Sequence, residues 1–189
     1  IYRRHTNFSM ESIEQTWNGT QTANGRCTAT ISRNGDLVHR MYLEITGPRT
    51  AAISNPGSSW ITDVELEIGG QKIDKHTGHW LELWAELTRL NPKGTVGLQD
   101  NTQSPTVSTL EQKTTGQGGL AGTTALADGT DATRYFVPLQ FWFCRNPGLA
   151  LPLIALQYHE VKVKISFEEI GKLAATTPGD TFGNDNTAL

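Results

Sequence analysis

Sulfur and charge are both scarce in this chain: of 189 residues only Cys27 and Cys144 are cysteines, and 19% are charged. Two cysteines so far apart cannot form a disulfide framework and offer no clustered metal-ligand spacing, so two buried free thiols are expected, with a single bridge between them the alternative. Lys and Arg number 16 and are scattered, and the net charge is −3, which excludes the basic footprint of a nucleic-acid binder. No stretch of about 18 uninterrupted apolar residues occurs, and Ile1-Tyr-Arg-Arg-His5 lacks the apolar centre of a signal peptide. Catalytic signatures are missing as well. Ser9, Ser12 and Ser32 have no Gly-x-Ser-x-Gly elbow, and Gly116-Gln-Gly-Gly-Leu-Ala-Gly122 neither follows an apolar strand nor opens a helix. Those glycines read as flexible loop.

What is present is turn-rich and strand-forming. With 19 Gly and 8 Pro the chain is punctuated often, and hydrophobic residues at 37% suffice for one globular domain. Asn7 to Trp17 alternates imperfectly and ends at Asn18-Gly19, which predicts a strand and a tight turn. Arg26 to Ile31 sets Cys27, Ala29 and Ile31 on one face. Asn34-Gly35 then predicts a hairpin into Asp36–Ile45. Ile61 to Ile68 places Val64, Leu66 and Ile68 opposite Asp63, Glu65 and Glu67. Gly69-Gly70 turns the chain into a short strand from Gln71 to Asp74. Thr77 to Leu90 carries Trp80, Leu81, Leu83, Trp84 and Leu87 at helical spacing and is the one helix expected. Arg134 to Phe143 and Tyr158 to Phe167 read as strands, the second with one wet face. The interior is expected to hold Leu37, Met41, Leu43, Val64, Leu66, Ile68, Val137, Leu139, Val161 and Val163.

Residues 91–133 are rich in Gly, Thr, Ser, Gln and Asn, too long for an ordinary connection, and predict an exposed, mobile insertion. Seven or eight short strands with one short helix and no βαβ alternation give an all-β fold, an antiparallel two-sheet β-sandwich such as a jelly roll; pattern alone leaves an immunoglobulin-like sandwich open. The single domain is expected over residues 1–170, with 171–189 a flexible C-terminal segment. The chain starts at Ile1 and ends in a Gly/Asn/Thr-rich run, so both ends read as cut from something longer.

Few residues invite chemistry. Asp74, His76 and His79 include ligand types for zinc, but no second ligand pair accompanies them, so no metal, cofactor or catalytic residue is assigned. His159 and Glu160 are neighbours on a strand and point apart. Lys162 and Lys164 share a face with Glu160, where charge pairing or solvation is expected, with contact to a lipid surface the sharper alternative. Asn7-Phe-Ser9 and Asn18-Gly-Thr20 fit the N-glycosylation pattern, which makes Asn7 and Asn18 the candidate glycan acceptors. Trp80 and Trp84, with Trp17, Trp60 and Trp142 elsewhere, suit core packing better than a sugar platform.

Four segments carry a family resemblance: Tyr2-Arg-Arg-His-Thr-Asn-Phe-Ser9, Ser32-Arg-Asn-Gly-Asp-Leu37, Val64-Glu-Leu-Glu-Ile-Gly-Gly-Gln-Lys-Ile-Asp-Lys-His76 and Phe141-Trp-Phe-Cys-Arg-Asn-Pro-Gly-Leu-Ala-Leu-Pro-Leu-Ile-Ala-Leu-Gln-Tyr-His-Glu-Val-Lys-Val-Lys-Ile165. Through them the chain resembles the major capsid proteins of large double-stranded DNA viruses of the algal-virus and giant-virus kind. The resemblance implies a protein of two successive jelly rolls, of which this chain is the first. Homotrimers of that protein look pseudo-hexagonal and tile an icosahedral capsid over an internal membrane, with minor capsid proteins as partners and no direct contact to nucleic acid. His79 stands where the family's Lys-His-x-Gly-x-Trp run has an acidic residue. The rivals from other classes are a carbohydrate-binding jelly-roll module, which would use Trp60, and a cupin-type enzyme, which would need a His-rich metal cluster.

Overall fold

In the computed structural model, which describes residues 7–48, 55–88, 110–118 and 132–169, the chain folds around nine strands. Five of them form one antiparallel sheet: β1 (Trp17–Gly19), β2 (Arg26–Thr30), β5 (Ile61–Ile68), β6 (Gln71–Thr77) and β9 (Val161–Phe167). Their spatial order is β1-β2-β9-β5-β6. Opposite lie two antiparallel ribbons, β4 (Tyr42–Pro48) with β7 (Ala132–Pro138) and β3 (Leu37–Val38) with β8 (Leu151–Pro152).

Alternation explains the core. Across β5 and β9 the pairs Val64–Ile165, Leu66–Val163 and Ile68–Val161 share the inner face, and β2 adds Cys27 opposite Ile165 and Ala29 opposite Val163. Leu43, Ile45 and Val137 from the β4–β7 ribbon, with Leu139, Phe141 and Phe143 beyond it, complete one continuous apolar cluster. Of the expected interior, Met41, Leu43, Val64, Leu66, Val137, Leu139, Val161 and Val163 are buried, and Ile68 is half-buried.

The β5–β6 hairpin forms where Gly69-Gly70 predicts it. Both glycines have positive φ, +60° and +83°, as a two-residue hairpin turn requires. The second strand is longer than expected and runs to Thr77. There the Thr77 hydroxyl accepts from the Trp80 amide at 3.2 Å and starts the main helix.

That helix spans Gly78–Thr88, and among the described residues it is one of four α-helices. The others are short: α1 (Pro56–Ser59), α3 (Leu110–Thr115) and α4 (Trp142–Arg145), so the main helix is α2. The aromatic run Phe141–Phe143 is therefore not strand. Strand β7 ends at Pro138, which cannot continue a ladder by donating, and α4 tucks Phe143 into the core instead.

Other expectations also fail. Residues 7–16 form no strand, because no neighbouring strand pairs with them; only Trp17–Gly19 joins β2, and Asn18-Gly19 lies in that strand rather than in a turn. The chain reverses instead near Asn24, whose φ is +55°. Asn34-Gly35 does not close a hairpin on β2. The chain crosses there to the second layer, where Leu37 pairs with Pro152 and stays exposed. On α2, Leu83 and Leu87 face solvent, while Leu81 and Ala85 are buried. Tyr158 to Glu160 precede β9 as a turn.

Candidate functional site

The outer face of the five-stranded sheet carries a dense band of charge, and it is organised. On β5 the acidic residues Asp63, Glu65 and Glu67 stand between the lysines of β6 and β9. Lys75 reaches Asp63 at 3.1 Å and Glu65 at 3.3 Å, Lys72 reaches Glu65 at 2.9 Å, Lys164 pairs with Glu67, and Lys162 pairs with Glu160 at 2.7 Å. The Lys72 ammonium holds the Glu65 carboxyl below its ordinary range, and the Asp63 carboxylate raises Lys75. The band continues through Ser166, which donates to Asp63 at 3.0 Å and accepts from Arg26 Nε at 3.0 Å. Lys162 and Lys164 are thus engaged by carboxylates, Glu160 just before β9 and Glu67 on β5, as the pairing expectation has it.

At one end of the sandwich an aromatic stack runs from core to surface. Phe143 and Phe141 lie 5.7 Å apart, Phe141 and His76 4.7 Å, His76 and Trp80 4.6 Å, and Trp80 and Trp84 5.5 Å, all near parallel. The Arg145 guanidinium caps the outer end, 5.1 Å from the Trp80 ring centre and 4.4 Å from that of Trp84. His76 is buried and its Nε2 has no hydrogen-bond partner; Asp74 Oδ2 stands 3.9 Å away. Burial holds its imidazole below the ordinary value, with Asp74 pulling the other way. His79 is exposed on α2, so Asp74, His76 and His79 do not converge, and no group of three ligand-type side chains occurs among the described residues.

The remaining candidates separate. His159 packs against Gly69, where any Cβ would come within 2.6 Å of its Nδ1, while Glu160 turns to Lys162. Trp60 is buried with its ring edge-on to Tyr135, closed to a sugar. Asn7 and Asn18 are both exposed. Cys27 and Cys144 are free, and burial pushes their thiols up to about 12 and about 11, so both stay protonated and inert near neutrality.

One site was invisible in the sequence. Within the supposed insertion, residues 115–117 are not exposed: Thr115, Gly116 and Gln117 are buried where the chain meets α1. The Gly57 amide donates to Gly116 O at 2.9 Å, an approach so close that a Cβ on Gly57 would sit 2.0 Å from Thr115 O. Glu82 of α2 fastens the arrangement, accepting from Ser58 Oγ at 2.7 Å and from the Gly118 amide at 2.9 Å. The only local hint was a Glu at the first turn of α3. The rest of 91–133 falls largely outside the described residues.

Sequence and fold comparisons agree on what this architecture is. The family described as "Major capsid protein N-terminus" matches residues 1–188. The major capsid protein of Pyramimonas orientalis virus is 50% identical over 173 residues, covering 88% of this chain and 40% of that protein; that of Phaeocystis pouchetii virus is 44% identical, covering 89% and 36%. The chain therefore spans about two-fifths of the length of these two relatives. Among solved structures, the quasi-atomic PBCV-1 virus capsid superposes with a TM-score of 0.65 at 34% identity, over 100% of this chain and 42% of that one. The two-layer antiparallel sandwich is a viral jelly roll, and the chain belongs to the major capsid protein family through its N-terminal domain.

Proposed function

We propose that this chain is shell material of a large double-stranded DNA virus, residing in the virion capsid and acting by assembly rather than by catalysis. Residues 1–170 are the first jelly roll of a protein whose second follows the 171–189 segment. Three copies of that protein make a pseudo-hexagonal trimer, the trimers tile an icosahedral shell over an internal membrane, and minor capsid proteins join them. Asn7 and Asn18 are the candidate glycan acceptors.

The observation that carries this reading is the family match along residues 1–188, supported by the superposition on a capsid protein over the whole chain. The surface chemistry is consistent with it: the sheet's charges are spent on one another, and repeated modest contacts between copies need no reactive group. Quantitative mass spectrometry of purified virions tests it. Peptides of this chain should rank among the most abundant and be labelled from outside in intact particles, and their absence from virions would overturn the reading. A native mass of three protomers for the longer protein tests the trimer separately.

A further inference from the structure

The most apolar segment of the chain is only half used by its core. Along β8 and the turns around it, Leu151 and Leu153 point inward, while their neighbours remain outside: Leu149 is 53% exposed, Ile154 71% and Tyr158 88%. Leu37, 56% exposed, joins them, because it lies directly opposite the exposed Pro152 in the β3–β8 pair and so shares its outer face. The Leu153 amide donates to Asp36 O at 2.9 Å and keeps the two segments together. At these exposures the large side chains leave on the order of 500 Å² of apolar surface open, as much as the largest patch on a typical monomer, which is often functional. That is more than half of the roughly 800 Å² each partner contributes to a stable interface.

Charge indicates what covers it. From Asn146 to His159 there is no Asp, Glu, Lys or Arg, although 19% of the whole chain is charged. The strip's own apolar side chains bring no like charge against another copy of the same chain, and the Arg33 guanidinium at its edge is occupied by Leu156 O at 3.0 Å. Nearby, a cleft of about 310 Å³ lined by Ile31, Leu153, Leu156 and Val161, with Arg33 and Glu160 also in its wall, offers room for an apolar side chain from outside. The free edge at β6 is poorly suited to the same task. A bulge leaves Ile73 unpaired, Lys72 and Lys75 flank it, and the Lys75 amide is taken by the Asp74 carboxylate at 2.8 Å, all of which oppose strand addition.

We infer that the strip formed by Leu37, Leu149, Pro152, Ile154 and Tyr158 is a contact surface for a second copy of this chain. The inference rests on the shell reading and specifies which face does the assembling. Sedimentation of the purified chain over a wide concentration range tests it, comparing wild type with Leu149→Asp and Ile154→Asp and using Leu87→Asp, an exposed leucine on α2, as control. Wild type and Leu87→Asp should self-associate, and the two strip variants should do so at least about tenfold more weakly. Unchanged melting temperatures will show that the variants are folded. A wild-type chain that stays monomeric, strip variants that associate as tightly as wild type, or an equal loss in Leu87→Asp would each overturn the assignment. None of these results alters the shell reading, which virion composition decides.

Discussion

His76 and Trp80 stack ring on ring, 4.6 Å between centres and 20° from parallel, with Phe141 on the other face of the imidazole at 4.7 Å. A histidine so enclosed is stable neutral and costly charged. Burial is the largest influence on it and lowers its pKa from 6.5; Arg145 pushes the same way, and Asp74 opposes. Because the unfolded chain then binds a proton more readily than the folded one, His76 contributes stability above about pH 6.5 that fades as pH falls. Urea midpoints should drop between pH 7.5 and 5.5, and His76→Phe should flatten that slope. An equal slope in the variant would assign the pH dependence to other groups.

Leu66 is fully buried on the inner face of β5, opposite Val163 of β9. Leu66→Ala should cost about 2–5 kcal/mol in equilibrium denaturation, the lost transfer energy plus a cavity. Leu87→Ala, at an exposed helix site, should stay within about 0.5 kcal/mol. A loss below about 0.5 kcal/mol for Leu66→Ala would contradict its core placement.

Glu82 joins α1 to the 110–118 segment through two hydrogen bonds. Glu82→Ala leaves both donors without that acceptor and should cost about 1–3 kcal/mol. Hydrogen exchange at the Gly118 amide is the local readout, and it should accelerate well before the β-sheet amides do. Unchanged protection would mean that Gly57 and Gly116 hold the segment alone.

Arg145 covers Trp80 and Trp84 and also donates from Nε to Gln140 O at 3.1 Å. Arg145→Ala should destabilise by about 0.5–1 kcal/mol and change tryptophan emission, since two indole faces lose their cover. Emission indistinguishable from wild type would show that the cation is not held there.

Legibility followed the range of the interactions involved. The β5–β6 hairpin was readable because its turn, its alternation and its pairing all lie within Ile61–Thr77. The strand β9 was readable from Val161 onward because both flanks are occupied and its alternation is strict. Asn34-Gly35 misled because a turn sequence fixes a change of direction and not the partner strand, which here lies in the other layer. Leu37 went with it. The Phe141–Phe143 run has strand propensity, but packing around His76 and the core favours one helical turn. The burial of Gly116 was unreadable because its cause is the approach of another glycine, Gly57, far away in sequence. His76 stood out in the sequence as a possible ligand, whereas its role as a stacked ring required Phe141 to be brought beside it.

The placement of β9 has a consequence for how the molecule is made. This strand sits at the centre of the five-stranded sheet, hydrogen-bonded to β2 on one side and β5 on the other, yet it is the last strand of the nine to leave the ribosome. Until Phe167 has emerged, β2 and β5 are two open edges separated by a missing strand, and the apolar faces of both are uncovered. Completion of this sheet therefore waits on an insertion between elements made long before, a late and non-local closure that leaves the apolar faces of β2 and β5 open until β9 is in place.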